Sequence, residues 1–152
     1  MRATAPATLR AIDMSVDTPA IVELIAATSR HDKVPYFPTV ASLANDWRPL
    51  PNFNPERDLQ GLELDGRLVG LARHSWRERP SVVNHRLEVL TDAEHRRQGH
   101  GTRLLTWAEE RARSSAAQGT GGPTSKPHQL GAVGPDNVEA AIQRVTHQRL
   151  ES

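Results

Sequence analysis

The chain has 152 residues, 19 Lys+Arg against 18 Asp+Glu, a formal net charge of +1 and no cysteine. That length bounds it at one domain with a single core. The balanced charge gives no overall attraction to nucleic acid or acidic surfaces, and the lack of cysteine excludes a disulfide framework, a thiolate nucleophile and a Cys-type metal site.

The opening MRATAPATLRAIDM has no apolar h-region, and no run reaches transmembrane length, so the default expectation is a soluble cytoplasmic protein. Residues 1–7 read as frayed and Thr8–Ile12 as a short strand. A helix is expected next, capped by Asp17 or Thr18, with Pro19 in its first turn, burying Ile21, Val22, Leu24 and Ile25 and ending near Arg30. Val34-Pro35-Tyr36-Phe37-Pro38 must be extended, since each proline disfavours helix in the residue before it. Thr39 caps a second helix to about Trp47, with Val40, Leu43, Ala44 and Trp47 on one face. Packing is the expected role of Tyr36, Phe37 and Trp47.

Pro49–Asp58 reads as a polar connector. Leu59–Leu64 and Arg67–Trp76 then form a hairpin about Asp65-Gly66, a type I′ turn signal. After a turn at 77–81, Val82–Thr91 alternates as a half-buried strand: Val83, His85, Leu87, Val89 and Thr91 on one face, Asn84, Arg86, Glu88 and Leu90 on the other. An amphipathic helix starts near His100, with Leu104, Leu105, Ala108 and Ala112 on its apolar side and a Glu109–Arg113 pair at i,i+4. Residues 114–127, small, polar and rich in Gly and Pro, read as a linker. A poor strand over His128–Val133 and a helix over Asn137–Arg149 complete the chain.

The functional information sits between that strand and that helix, at Arg96-Arg97-Gln98-Gly99-His100-Gly101-Thr102. Alternate glycines leave no Cβ to block a ligand, and the unpaired N–H groups and positive dipole end of the helix face the same way. The arrangement is an anion pocket with arginines at its lip, suited to phosphate or pyrophosphate. A dinucleotide fingerprint is excluded by Leu104 at its third glycine position, and a Walker A loop by the absence of lysine between Lys33 and Lys126.

Arg-x-x-Gly-x-Gly, with Arg96, Gly99 and Gly101 in its fixed positions, resembles the acyl-CoA motif of the GNAT superfamily of N-acetyltransferases. The lead-in Val89–His95 and the following Thr102-Arg103-Leu104-Leu105 are similar too. The resemblance covers about Thr8 to Arg113. It implies an α/β (α+β) fold: a mixed, mostly antiparallel sheet flanked by helices. It also implies acetyl-CoA as co-substrate, with its pyrophosphate on N–H groups around Gln98, Gly99, His100, Gly101 and Thr102 beside Arg96 and Arg97. The pantetheine would run along the strand end at Val89, Leu90 and Thr91. Family members continue with a fifth strand, a helix opening near an Asn, a Tyr, and a Gly-Phe leading into two further strands. Asn137 and Ala140-Ala141 resemble the start of that helix. The Tyr and the Gly-Phe have no counterpart, so the last two strands are expected to be missing.

The implied reaction is direct attack of a neutral amine on the thioester, which needs a base for the amine proton and an acid for the departing thiolate. His85 and Glu88 are the base candidates. They lie on opposite faces, so at most one points at the cleft, and a histidine merely satisfied by a neighbour is the commoner outcome. By the same resemblance the helix-loop-helix region of Tyr36, Phe37 and Trp47 would wall the acceptor pocket, but Tyr36 lies in a different region from the family's acid and makes a poor replacement for it. The seven histidines suggest no metal site, since His95 and His100 fit no ligand spacing and no HExxH occurs. The expected partner is a small-molecule or peptide amine, with a homodimer or partner chain completing the sheet, and neither membrane nor nucleic acid. Two other readings remain: a coenzyme-binding module without turnover, and a phosphate- or RNA-backbone-binding domain using His95–Arg103.

Overall fold

The computed structural model describes residues 6–117, 128–133 and 149–150. Its centre is one twisted sheet in the order β1-β2-β3-β4-β5-β6. The strands are β1 Thr8–Ala11, β2 Leu59–Leu64, β3 Arg67–Glu78, β4 Val83–Thr91, β5 His128–Val133 and β6 Arg149–Leu150. All neighbours pair antiparallel except β4 and β5, which are parallel. The β2–β3 hairpin turns on Asp65 (φ 52°) and Gly66 (φ 75°), the two positive φ values that a type I′ turn requires.

Two apolar clusters cover the two faces of the sheet. On one, Leu62, Ala72 and Leu87 pack against Leu104, Ala108 and Ala112 of α4, His100–Ala117. On the other, Leu59, Leu68 and Leu71 pack against Ile21, Leu24 and Ile25 of α1, Met14–Asp32, and Leu43 of α2, Val40–Asp46. Gly70 lets α4 approach β3 closely, since a Cβ there would lie 2.8 Å from Leu104 Cδ1.

Several boundaries differ from expectation. The cap of α1 is Asp13, whose side chain accepts from Ser15 N–H, so Pro19 sits inside the helix. Asp17 is drawn off by Arg10 of β1, which grips both its oxygens at 3.0 and 2.9 Å. The 49–58 connector contains a short helix, α3 Pro55–Asp58, capped by Asn54, and an isolated Leu50–Phe53 bridge. α4 runs on to Ala117, taking the first four residues of the expected linker; 118–127 lie outside the described residues. β5 forms as expected, parallel to β4. The expected helix over 137–149 lies outside the described residues except at Arg149, which is in β6. Among the described residues only that two-residue strand follows β5, antiparallel at His128↔Leu150 and Gln129↔Arg149.

Candidate functional site

Pairing of β4 with β5 runs from Val83↔His128 to Glu88↔Val133. Among the described residues, Val89, Leu90 and Thr91 therefore pair only with β3, at Ala72, Leu71 and Gly70. Beyond this strand end, Asp92 caps a single 3₁₀ turn, Ala93–His95, and the chain enters the loop through Arg96. Arg97 (φ 65°) and Gly99 (φ 83°) take left-handed backbone conformations that fold the loop tightly into His100, the first residue of α4. Arg97, Gln98, Gly99 and Thr102 are exposed.

The loop fits an anionic ligand. A Cβ added at Gly99 would meet nothing within 4 Å, and one at Gly101 would meet only Thr91 Oγ1, at 3.8 Å. Both ring nitrogens of His100 and the hydroxyl of Thr91 are buried without a hydrogen-bond partner. Burial, and then the charge of Arg103, hold the His100 imidazole below its ordinary value. These open polar atoms surround the amino end of α4, where backbone N–H groups also lack helical partners.

Arg96 is not held at the loop's lip. Its guanidinium forks the Asp32 carboxylate at 2.8 and 2.7 Å, and its Nε donates to Thr91 O at 3.3 Å. Arg96 thus ties the loop to the end of α1. The same fork holds the Asp32 carboxyl down at about 2. Both side chains are 16% exposed, so water screens the pair weakly. Asp32→Asn should lower stability by about 1–2 kcal/mol and weaken pyrophosphate binding by loosening the loop. Urea unfolding and a pyrophosphate titration measure the two effects, and no change in either would assign Arg96 no positioning role.

On the α1 side of β4 the sheet opens into a cavity of about 540 Å³. Its walls include Asp32, Tyr36, Trp47, Arg73, Glu88 and the strand-end residues Val89 and Leu90. Glu88 therefore faces the cavity. Its Oε1 is 2.8 Å from Arg73 Nη1 and 3.1 Å from Arg86 Nε. Tyr36, read as a packing residue with a wall of the acceptor pocket as the alternative, is 46% exposed and lines this cavity. Burial, and then Asp46, raise its phenol, so it stays protonated.

His85 is 1% exposed, on the opposite face under α4, and is not among the residues that line the cavity. It is the middle of a buried chain. Asp58 Oδ1 is 2.9 Å from His74 Nδ1, His74 Nε2 is 2.9 Å from His85 Nδ1, and His85 Nε2 is 2.8 Å from His128 Nδ1. Asp58 also accepts from Arg111 Nε at 2.8 Å and from Asn54 N–H. Its own burial favours the neutral acid, but these bonds outweigh it and keep the carboxyl below its ordinary value. An ionised carboxylate can only accept, so in the neutral chain every ring donates from Nδ1 toward Asp58. Burial, and then the two flanking rings, push the His85 imidazole down to about 3, and burial lowers His128. Sequence periodicity puts His85 on the inward face; its partners come from β3 and β5, with Asp58 of α3 reached through His74, and no local signal links them.

An α/β domain with an anion-receptive βα loop, next to a strand end that among the described residues pairs on one side only and borders a cavity, is thus the class that fold and site define. The chain belongs to the acetyltransferase (GNAT) family, whose model matches residues 22–120. Solved structures agree on the fold. A GCN5-related N-acetyltransferase from Sphaerobacter thermophilus is 23% identical with a TM-score of 0.63, over 82% of this chain and 37% of that one. A ribosomal-protein-alanine N-acetyltransferase from Brucella melitensis is 15% identical with a TM-score of 0.57, over 91% and 88%. The N-acetylglutamate synthase of Neisseria gonorrhoeae, complexed with coenzyme A and N-acetyl-glutamate, is 21% identical with a TM-score of 0.58, over 92% and 28%. This chain thus spans little more than a third of the Sphaerobacter protein. No curated protein matches. Among the described residues, no helix is long and apolar enough to cross a membrane.

Proposed function

We propose that this domain is an acyl-CoA-dependent N-acetyltransferase that moves an acetyl group from acetyl-CoA to a small-molecule or peptide amine. The observation that supports this most is a continuity: Val89 and Leu90 both end the strand beside the anion-receptive loop and line the cavity that holds Glu88. A coenzyme with phosphates on Gln98–Thr102 and amides along Val89–Thr91 would deliver its thioester to that cavity. Coenzyme A bound to the Neisseria neighbour is in keeping with this.

In this reading the amine nitrogen bonds to the thioester carbonyl carbon and the C–S bond breaks. Glu88 takes the amine proton, directly or through water. Tyr36, kept protonated in the same cavity, is the candidate donor to the leaving thiolate. His85 has no part in it. A coenzyme-binding module without turnover is the second reading, favoured by the engagement of Glu88 Oε1 with two arginines.

The test is calorimetric titration of acetyl-CoA into the full chain, followed by a screen of amines for CoA release. Saturable binding is expected, and Glu88→Gln should lower turnover by about 10²–10⁴-fold at unchanged coenzyme affinity. Binding without release for any amine would leave the module reading. No binding to a folded chain would sink both.

A further inference from the structure

Arg73 is held on several sides in the cavity wall. Its side chain is 15% exposed, and its guanidinium carbon lies 4.3 Å from the Phe53 ring centroid and 5.4 Å from that of Trp47. Aromatic faces fix a guanidinium in place without using its N–H groups. Its Nη1 donates to Glu88, and among the described residues its buried Nε has no partner. Arg86, 60% exposed, contacts the same oxygen of Glu88. Asp32, the other carboxylate of the lining, is already forked by Arg96. Two arginines thus share one oxygen of one carboxylate, and among the described residues that line the cavity one positive charge is left without a counter-charge.

A planar fork with an open Nε is matched by a second carboxylate, which accepts two parallel N–H bonds. We propose that the acceptor amine carries a carboxylate of its own, seated on Arg73 with Arg86 beside it, so that the acceptors are amino acids or related amino-carboxylates. This rests on the acetyl-transfer reading. It adds a consequence: a carboxylate that draws the two arginines away from Glu88 leaves Glu88 open to the amine, so an acceptor lacking that group meets an occupied base.

The test uses product-like probes that need no turnover. N-acetylglycine and its neutral amide differ only in the carboxylate. They are titrated into the ¹⁵N-labelled full chain, and the Arg73 Nε–H resonance is followed. The acid should move that resonance saturably and bind at least about 10-fold more tightly than the amide. Arg73→Lys, which keeps the charge and loses the fork, should bring the two probes within about 2-fold. Equal binding of acid and amide to the parent chain would overturn the proposal, as would an acid that leaves the resonance unmoved. Either result alongside intact acetyl-CoA binding would leave the coenzyme assignment standing. Loss of acetyl-CoA binding with acid-selective binding retained would do the reverse.

Discussion

Replacing Gly101 by valine should abolish saturable acetyl-CoA binding and leave the folded domain intact. Gly101 is the second residue of α4, and no positive φ requires glycine there. A Cβ would meet only Thr91 Oγ1, at an ordinary 3.8 Å, so the fold has room for it. Valine is also a better helix residue than glycine by a few tenths of a kcal/mol. The side chain would instead stand where the phosphates must reach the first N–H groups of the helix. A 100-fold loss of affinity, about 2.7 kcal/mol, is the least that displacement from such a site should cause. Calorimetry reads the binding and thermal unfolding the stability. Unchanged affinity would remove the loop assignment, and a collapse of stability would mean that Gly101 serves packing. Gly99 differs: at φ 83° any side chain there is strained by about 1–2 kcal/mol, whatever it does to the ligand.

The second large effect is on stability in acid. His85 titrates at about 3 in the fold, and His128 is lowered as well, while the unfolded chain protonates both near pH 6.5. The unfolded state therefore binds more protons below that pH. Stability should be fully present above pH 6.5 and fall as the pH drops toward 3, by about 1.4 kcal/mol per pH unit for each imidazole kept neutral. Asp32 and Asp58, whose carboxyls are held down, begin to contribute only below about pH 4, near their unfolded value. The histidines thus own the upper part of the transition. His85→Phe should flatten that part by one proton, at a loss of about 1–3 kcal/mol at neutral pH for each polar atom left unpaired on His74 and His128. Urea unfolding at half-unit steps from pH 7 to 4 measures both. A flat profile between pH 6.5 and 5 would show that the chain does not stay neutral.

This dependence reaches the site through β4. Glu88 and Val89 face or border the cavity, and His85 fastens the same strand to β3 and β5 from the other side. Protonating the imidazoles would put like charges at hydrogen-bond distance between three strands.

Local chemistry made much of this legible in the sequence. The Asp65-Gly66 turn, the alternation of Val83–Thr91 and the start of α4 at His100 depend on residues two to four positions apart, and all three stand where their patterns put them. The open loop at Gly99 and Gly101 was readable for the same reason. The start of α1 was not. Asp13 and Asp17 are both fit caps, and Arg10, itself also bonded to Glu63 of β2, decides between them by occupying Asp17.

Arg96 marks the limit more sharply. Its motif position points to phosphate, but its partner is Asp32, 64 residues earlier, which comes within reach only when α1 packs beside β4. For Tyr36 the sequence leaves packing and a pocket wall both open, and only the packing of α1, α2 and the sheet places it on a cavity. Asp58, His74, His85 and His128 are unremarkable in their own segments, and only the register of β3, β4 and β5 with the packing of α3 beside them aligns the four. The sequence by itself determined which residues form strand, turn, loop and helix, because backbone preferences act over one or two turns of chain. Only the tertiary structure decided which polar group meets which, because a buried charge or imidazole is satisfied by whatever the register of distant strands brings to within 3 Å.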